Sequence, residues 1–176
     1  VDELMFTVSA GEELGFLGPN GAGKSTTMKM ITGYLAPTSG TALVCGHDVA
    51  VEPLKVKERI GYLPEGAPLY AEMTPLSFLK FVAQTRGLTG DRGKDAIARA
   101  VARTSIEGVL QQPIDTLSKG FKRRVGLAQA ILHEPDVLIL DEPTAGLDPN
   151  QKHDVRELIR EMAAQSGKAI VLSTHI

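Results

Sequence analysis

Residues 18 to 26 follow the pattern G-x-x-x-x-G-K-[ST], which fixes two glycines, a lysine and a hydroxyl residue. In order they are Gly18, Pro19, Asn20, Gly21, Ala22, Gly23, Lys24, Ser25 and Thr26. Glycines let the backbone curl so that successive N–H groups face one anion, and a helix that begins there adds its positive end. The pattern therefore predicts a P-loop, with Lys24 at the β- and γ-phosphates of a nucleotide and the Ser25 hydroxyl on Mg2+.

Two carboxylates, Asp141 and Glu142, directly follow the apolar run 137–140. Ligands of open parallel sheets sit at the carboxyl ends of the strands. At that edge Asp141 can hold a magnesium ion, directly or through water, and Glu142 can act as a general base toward an attacking water. A solvated turn after a strand would also accommodate Asp-Glu-Pro, but its combination with a P-loop favours the catalytic interpretation.

Short apolar runs alternate with segments of helical composition. Strands are predicted at 14–17, 41–45, 60–63, 137–140 and 169–173, and helices at 24–35, 53–59, 75–85, 91–103, 118–133 and 149–164. Apolar strands separated by helices indicate a mostly parallel sheet that is covered on both faces. We therefore predict an α/β fold with a core at about 1–74 and 134–176 and an α-helical insertion subdomain at about 75–133.

The composition is that of one globular domain. The chain has 176 residues, of which 43% are hydrophobic and 23% charged. A net charge of −2 gives no general attraction to nucleic acid, so no direct nucleic-acid partner is expected. The single cysteine, Cys45, excludes an internal disulfide and is expected in the core, while Phe6 lies in a strand pattern. Because strand-like sequence reaches both termini, we expect a fragment truncated at both ends.

Further motifs surround the acidic pair in a fixed order. They are Gly61-Tyr-Leu-Pro-Glu65, then Leu117, Ser118, Lys119, Gly120 and Phe121, then Ala145-Gly-Leu-Asp148, and last His175. With the P-loop, these motifs make the whole chain resemble the ATP-binding domain of ABC transporters. By that resemblance they correspond to the family's Q-loop region, its signature motif L-S-G-G-Q, its D-loop and its switch histidine.

The resemblance implies a P-loop NTPase fold, ATP as the bound nucleotide and ATP hydrolysis as the activity. Glu142 and His175 are then catalytic, and Ser25, Asp141 and Glu65 are the implied Mg2+ ligands. A second ATP-binding domain is the implied partner in a head-to-tail dimer, where the signature motif meets the partner's ATP and the D-loop residue Asp148 couples the sites. Transmembrane permease subunits are the other implied partner, which would place the chain peripherally at the cytoplasmic face of the cell membrane.

Three positions depart from the family pattern. Glu65 stands where most members have Gln, Lys119 replaces a Gly of the signature motif, and Phe121 replaces its Gln. The sequences Ile-Gly-Tyr-Leu-Pro-Glu and Leu-Ser-Lys-Gly resemble those of a subgroup of exporters that includes drug, antibiotic and gliding-motility systems. The resemblance thus favours export. The family's adenine-stacking aromatic lies upstream of the P-loop, and no residue before Gly18 is assigned to that role.

Two other functions are compatible with parts of the pattern. The alternative is a soluble non-transport ABC ATPase that acts on ribosomes or nucleic acid. The interval between Lys24 and Ser118 is too short for the coiled coil of chromosome-type members, whereas translation-type members with tandem domains fit. A sensor that binds nucleotide without turnover is disfavoured by the presence of Lys24, Asp141, Glu142 and His175.

Two further groups of residues have more than one interpretation. Four basic residues form a cluster on the signature helix, either as a solvated face or as a field that favours the partner's ATP: Lys119, Lys122, Arg123 and Arg124. An apolar stretch after the Q-loop either packs the helical insertion or grips a cytoplasmic helix of a membrane partner: Leu69, Tyr70, Met73, Leu76 and Phe78.

Overall fold

The computed structural model describes residue 1 and residues 3–66 and 70–174. A four-stranded parallel sheet forms its centre, in the spatial order β1-β6-β5-β4. The strands are β1 (Glu13–Leu17), β2 (Leu43–Val44), β3 (His47–Asp48), β4 (Ile60–Leu63), β5 (Val137–Leu140) and β6 (Ala169–Thr174), of which β2 and β3 form a separate antiparallel hairpin. The helices are α1 (Lys24–Ile31), α2 (Pro53–Arg59), α3 (Pro75–Thr85), α4 (Gly90–Thr104), α5 (Lys119–Ile131) and α6 (Pro149–Ser166).

The register of the sheet brings several strand ends to one edge. Leu17 pairs with Thr174, and Leu140 pairs with both Leu63 and Leu172. Because the strands are parallel, the P-loop after β1 and the acidic pair after β5 emerge at the same carboxyl edge. This is the α/β architecture that the sequence predicts.

The two inner strands of the sheet, β5 and β6, are largely buried on both faces. Leu138 and Leu140 pack into the larger core cluster with α3 to α6, whereas Ile139 points into a smaller cluster with Met28 of α1 and Val56 of α2. The central strand β5 is apolar at every position for that reason, since neither face of it meets solvent. Gly61 allows α5 to approach β4 closely, because a Cβ there would lie 2.1 Å from the carbonyl oxygen of Ala130.

Strand β4 lies at an edge of the sheet, and side chains from α5 and from the segment just after it cover part of its backbone. The carbonyl of Ile60 accepts a hydrogen bond of 2.9 Å from His133 Nε2, and that of Tyr62 accepts one of 2.9 Å from Gln129 Nε2. These contacts satisfy carbonyls that a further strand would otherwise have to pair. His133 is half-buried against the sheet.

The interval 75–133 contains α3, α4, two short 3₁₀ helices (Glu107–Val109 and Ile114–Thr116) and α5, as its helical composition predicts. Pro75 occupies the first turn of α3, and the hydroxyl of Thr74 caps that helix by accepting from Ser77 N. No helix in the described ranges is long and apolar enough to span a membrane.

Three local expectations are wrong. Helix α1 ends at Ile31 and not near residue 35, because Gly33 adopts a φ of 79° and turns the chain. Cys45 is exposed, since it and Gly46, with φ values of 51° and 81°, form the tight turn between β2 and β3, and a two-residue hairpin turn of this kind needs positive φ at both positions. Phe6 lies outside any strand and packs edge-on against Phe16, with ring centroids 5.2 Å apart.

Candidate active site

The P-loop leaves β1 and leads directly into α1. Gly21 and Gly23 have φ values of 82° and 90°, a region that residues with a Cβ rarely adopt. Gly23 is also the N-cap of α1, so the backbone N–H groups of the first helical turn lie next to the loop. The segment therefore has the geometry in which a curled backbone and a helix N-terminus attract one anion together.

Lys24 is held against its own loop. Its Nζ atom donates to the carbonyl oxygens of Gly18, at 2.6 Å, and Pro19, at 3.1 Å. The same Nζ lies 3.8 Å from Glu142 Oε1, and the two side chains are only 9% and 5% exposed. The ammonium group is thus positioned between the P-loop and the acidic pair.

The two sequence motifs meet at Asp141. Its Oδ1 atom accepts hydrogen bonds from Ser25 Oγ, at 3.1 Å, and from Ser173 Oγ, at 2.6 Å. Ser25 comes from α1, Asp141 follows β5, and Ser173 lies in β6, so three elements converge on one carboxylate. Ser173 carries no motif of its own, and sequence reasoning missed it.

Glu142 is buried and adopts an unusual backbone conformation. Its φ is 49°, in the left-handed region, which costs a residue with a Cβ about 1–2 kcal/mol. Its backbone N–H donates to Ser173 Oγ at 2.9 Å, and its carbonyl accepts from Ala145 N at 3.1 Å. The chain thus turns at Glu142 straight after β5, which aims the carboxylate at Lys24.

The donor atoms around Asp141 suit a hard cation. Ser25 Oγ and Asp141 Oδ1, 3.1 Å apart, are a hydroxyl and a carboxylate oxygen, the ligand types that Mg2+ prefers. Among the described residues no group of three His, Cys, Asp or Glu side chains is placed to hold a metal by itself. Mg2+ sites that complete their octahedron with phosphates and waters need only one or two protein ligands, so the site fits that type.

Glu65, the third predicted Mg2+ ligand, is exposed in the turn after β4. Arg123 of α5 reaches the same turn, where its Nη1 lies 3.4 Å from the carbonyl oxygen of Pro64. Burial lowers the pKa of Arg123, while the carboxylates of Glu65, Asp141 and Glu142 oppose that shift. The guanidinium therefore sits within the field of all three acids and offsets part of their charge.

Tyr62 lies near the carboxylate of Asp141. Burial raises the pKa of Tyr62 to about 12, and the negative charge of Asp141 adds to the effect. Its phenol consequently stays neutral at physiological pH, and its ring packs against that of Tyr34 with centroids 5.8 Å apart.

The signature motif and the D-loop are neighbours within the chain. Ser118 is the N-cap of α5 and accepts from Phe121 N at 3.3 Å. Lys119 lies beside the D-loop, with its Nζ atom 3.7 Å from the place that a Cβ of residue Gly146 would occupy. Gly120 packs closely against the side chain of Gln151 in α6. Ser118, Lys119 and Asp148 are exposed, while Leu117 and Gly120 are buried and Phe121 is half-buried.

Asp148 also has a local task. Its Oδ1 accepts from Gln151 N at 2.9 Å, so it is the N-cap of α6. The exposed edge of this carboxylate remains available to another molecule, because the cap uses one of its two oxygens.

The basic cluster is only partly a solvated face. Lys122 donates to the carbonyl of Asp115, and Arg124 donates to that of Thr104 and pairs with Asp154 at 3.5 Å. With Arg123 held at Pro64, three of the four cations anchor α5 to its surroundings. Lys119 and Lys122 also line a surface pocket beside the D-loop residues Ala145 and Gly146.

The apolar stretch after the Q-loop is divided between core and surface. Phe78 is buried, and Met73 and Leu76 pack against the core. Tyr70 is 56% exposed, and its ring meets that of Phe81, which is 42% exposed, edge-on at 5.6 Å. Leu69 and the predicted catalytic residue His175 lie outside the described residues.

Comparisons with known proteins agree on one family. The family described as "ABC transporter" matches residues 1–145. The chain is 40% identical, over 174 residues, to the probable multidrug ABC transporter ATP-binding protein YbhF of Escherichia coli (strain K12), with 99% of this chain and 30% of that protein covered. It is 39% identical, over 175 residues, to a Nod factor export ATP-binding protein I of Burkholderia pseudomallei (strain 1710b), with 99% of this chain and 57% of that protein covered.

A solved structure gives the same result for the fold. The chain superposes on cbiO1 from Clostridium perfringens, part of the ABC transporter complex cbiONQ, with a TM-score of 0.86 and 34% sequence identity. That alignment covers 97% of this chain and 70% of the other. The chain spans between about a third and just over half of the two curated relatives above.

Proposed function

The chain belongs to the ABC transporter family of ATP-binding proteins, and from this membership we propose that it is the ATP-hydrolysing motor domain of an ABC exporter. The observation that carries the proposal is the meeting of Ser25 and Asp141 at 3.1 Å, with Lys24 3.8 Å from Glu142. These distances bring the phosphate-binding loop, the oxygens of the metal ligands and a buried carboxylate close together. Phosphoryl transfer to water needs these groups together.

Each group has a task in hydrolysis. The P-loop N–H groups and Lys24 hold the β- and γ-phosphates of ATP, for which Lys24 exchanges its bonds to the carbonyls of Gly18 and Pro19. Glu142 accepts a proton from the attacking water, and its carboxylate lies 3.8 Å from Lys24 Nζ, the group that would hold the phosphates. His175, which follows β6 in the sequence, contacts the γ-phosphate.

Ser25 and Asp141 are the protein ligands of Mg2+ in this proposal, with Glu65 as a further ligand from the Q-loop. When bound, the ion neutralises charge that develops on the β- and γ-phosphate oxygens. The hydrogen bonds that Asp141 receives from Ser25 and Ser173 fix the orientation of its carboxylate, which would be a ligand of the ion.

The proposed motor domain works with two kinds of partner. A second ATP-binding domain brings its signature motif to the ATP that this chain holds, and Ser118 to Phe121 of this chain do the same for the partner's ATP. Permease subunits in the membrane receive the motion, and the exposed rings of Tyr70 and Phe81 offer them an apolar surface. The chain then works peripherally at the cytoplasmic face of the membrane.

Export is favoured because YbhF is named a multidrug transporter protein and the Burkholderia relative a Nod factor exporter.

Replacement of Glu142 by Gln tests the hydrolytic part in the full-length protein. The amide keeps the size of the side chain but cannot accept the proton, so we expect ATP turnover to fall at least a hundredfold while ATP binding persists. Steady-state phosphate release and binding of a fluorescent ATP analogue measure the two properties. Turnover at the parental rate would show that Glu142 is not the general base.

Co-purification tests the transport part. The full-length protein is isolated through an affinity tag from detergent-solubilised membranes, and its partners are identified by mass spectrometry. A stoichiometric polytopic membrane protein is the expected result. Recovery with ribosomal proteins or nucleic acid instead would leave the ATPase chemistry intact and assign the function to a soluble ABC ATPase.

A further inference from the structure

Ser173 occupies a position in the site that none of the sequence motifs covers. It lies in β6 with 0% of its surface exposed, between Leu172 and Thr174. The preceding residues Ile170 and Val171 are also buried and apolar. A polar side chain in such a strand is stable only if its hydrogen-bonding groups are satisfied.

The hydroxyl of Ser173 is satisfied by two groups of the acidic pair. It donates its hydrogen to Asp141 Oδ1 at 2.6 Å and accepts the backbone N–H of Glu142 at 2.9 Å. One oxygen atom thus connects β6 to both carboxylate residues. Because a hydroxyl has a single hydrogen, the short bond to Asp141 leaves its lone pairs for the amide of Glu142.

We propose that Ser173 is the positioning residue that holds Asp141 and Glu142 in their working geometry. The inference rests on the proposed ATPase function, in which Asp141 faces the metal ion and Glu142 faces the water. The bond to Asp141 Oδ1 fixes the rotation of a carboxylate that also receives Ser25. The bond from the Glu142 amide stabilises the left-handed turn, with φ of 49°, that aims the Glu142 side chain at Lys24.

Ser25 and Ser173 lie in different surroundings. Ser25 lies in the first turn of α1, where its hydroxyl oxygen would bind Mg2+ through a lone pair while its hydrogen stays available to Asp141. Ser173 is buried in β6 and is not among the proposed metal ligands, so its bond orients Asp141 from outside the ligand set. Loss of this hydroxyl should therefore change the requirement for Mg2+ as well as the rate.

The test compares Ser173→Ala, Ser173→Thr and the parental full-length protein. Partners in the second layer of a metal site typically change activity or metal affinity by 10–100-fold. We expect Ser173→Ala to lower kcat by roughly tenfold to a hundredfold and to raise the Mg2+ concentration at half-maximal ATP binding, with little change in KM for ATP. Ser173→Thr keeps the hydroxyl and should recover most of both properties. Thr104→Ala is the matched control, because Thr104 is also a fully buried hydroxyl but bonds Ala100 O within α4.

Amide hydrogen exchange supplies a readout that needs no turnover. Ser173→Ala should speed exchange at the Glu142 amide, while peptides from α4 keep the parental rate; Thr104→Ala should do the reverse. Unchanged kcat, Mg2+ requirement and Glu142 exchange in Ser173→Ala would overturn the inference. If the parental protein itself hydrolyses no ATP, the proposed function fails, and the exchange rates and Mg2+ titration still decide the role of Ser173.

Ser173→Cys serves if the alanine variant does not fold, because a thiol keeps the volume but is a weak donor and acceptor. A folded Ser173→Cys protein with parental kcat and Mg2+ requirement would overturn the assignment. Failure of both variants to fold, with Thr104→Ala folded, would also overturn it, since Ser173 would then act in folding and not in positioning.

Discussion

The candidate site places reactive side chains by backbone features that are themselves unusual. Glu142 has a left-handed backbone directly after a buried strand, and Gly21 and Gly23 have positive φ in the P-loop. Such conformations persist only where surrounding contacts determine them. Around Glu142 those contacts are the hydrogen bonds to Ser173 and Ala145, so the orientation of the carboxylate depends on residues that do no chemistry.

Lys24 gives the first prediction at this scale. Its ammonium group already donates to two loop carbonyls, and a nucleotide phosphate would replace them as acceptor. A hydrogen bond to a charged group contributes about 1.5–3 kcal/mol, so Lys24→Ala should weaken ATP binding roughly tenfold to a hundredfold. Titration with a fluorescent ATP analogue measures this effect. Lys55→Ala is the control, since Lys55 is 60% exposed and pairs with Glu52. Equal losses in both variants would contradict the assignment.

At the scale of elements, His133 ties the segment that directly follows α5 to the edge strand β4. Burial lowers the pKa of His133 to about 4, and the positive charge of Arg86 adds to the shift. The group ordinarily titrates near 6.5 when the chain is unfolded. Because the folded pKa is the lower one, the stabilisation is fully present above pH 6.5 and is lost as the pH falls toward 4.

When the pH falls from 7.5 to 5, the lowered pKa of His133 should reduce the free energy of unfolding of the full-length protein by about 2 kcal/mol. His133→Gln keeps a donor for the carbonyl of Ile60 but does not titrate, so most of that pH dependence should disappear. Urea unfolding followed by circular dichroism at the two pH values gives the difference. The control is His153→Gln, at an exposed position of α6, which should retain the pH dependence of the parental protein. If His133→Gln shows the same change in the free energy of unfolding with pH as the parental protein, His133 does not cause that change.

The sequence predicts an element's ends to the residue where a proline or a change from apolar to charged residues marks them. Helices α2 and α3 begin at Pro53 and Pro75, and β5 is an apolar run ended by Asp141. The hairpin turn at Cys45 was missed because it depends on a positive φ at a non-glycine residue, which the sequence does not indicate. The end of α1 was placed too late, although Gly33, whose positive φ turns the chain, is visible in the sequence. In the site, Ser25 and Asp141 were assigned from motifs, whereas Ser173 became visible only when β6 was paired with β5.

At the scale of the molecule, the exposed N-cap of the signature helix is the feature that would meet a second copy. Ser118 caps α5 through its bond from Phe121 N, and its side chain is exposed. In the proposed dimer this hydroxyl faces the γ-phosphate of the partner's ATP. A negative charge at Ser118 should therefore oppose closure of the dimer.

Ser118→Asp separates this role from folding, because Asp is as good an N-cap as Ser and its charge favours the N-terminus of its own helix. In a Glu142→Gln background, ATP should convert the full-length protein to a dimer, as measured by size-exclusion chromatography with light scattering. Addition of Ser118→Asp should abolish that dimer while ATP binding and the thermal midpoint stay within error. Thr74→Asp introduces the same charge at the N-cap of α3 and should leave the dimer intact. A dimer that forms equally well with Ser118→Asp would mean that the signature helix does not face the partner's phosphates, because an unpaired carboxylate against a triphosphate is strongly repulsive at contact distance.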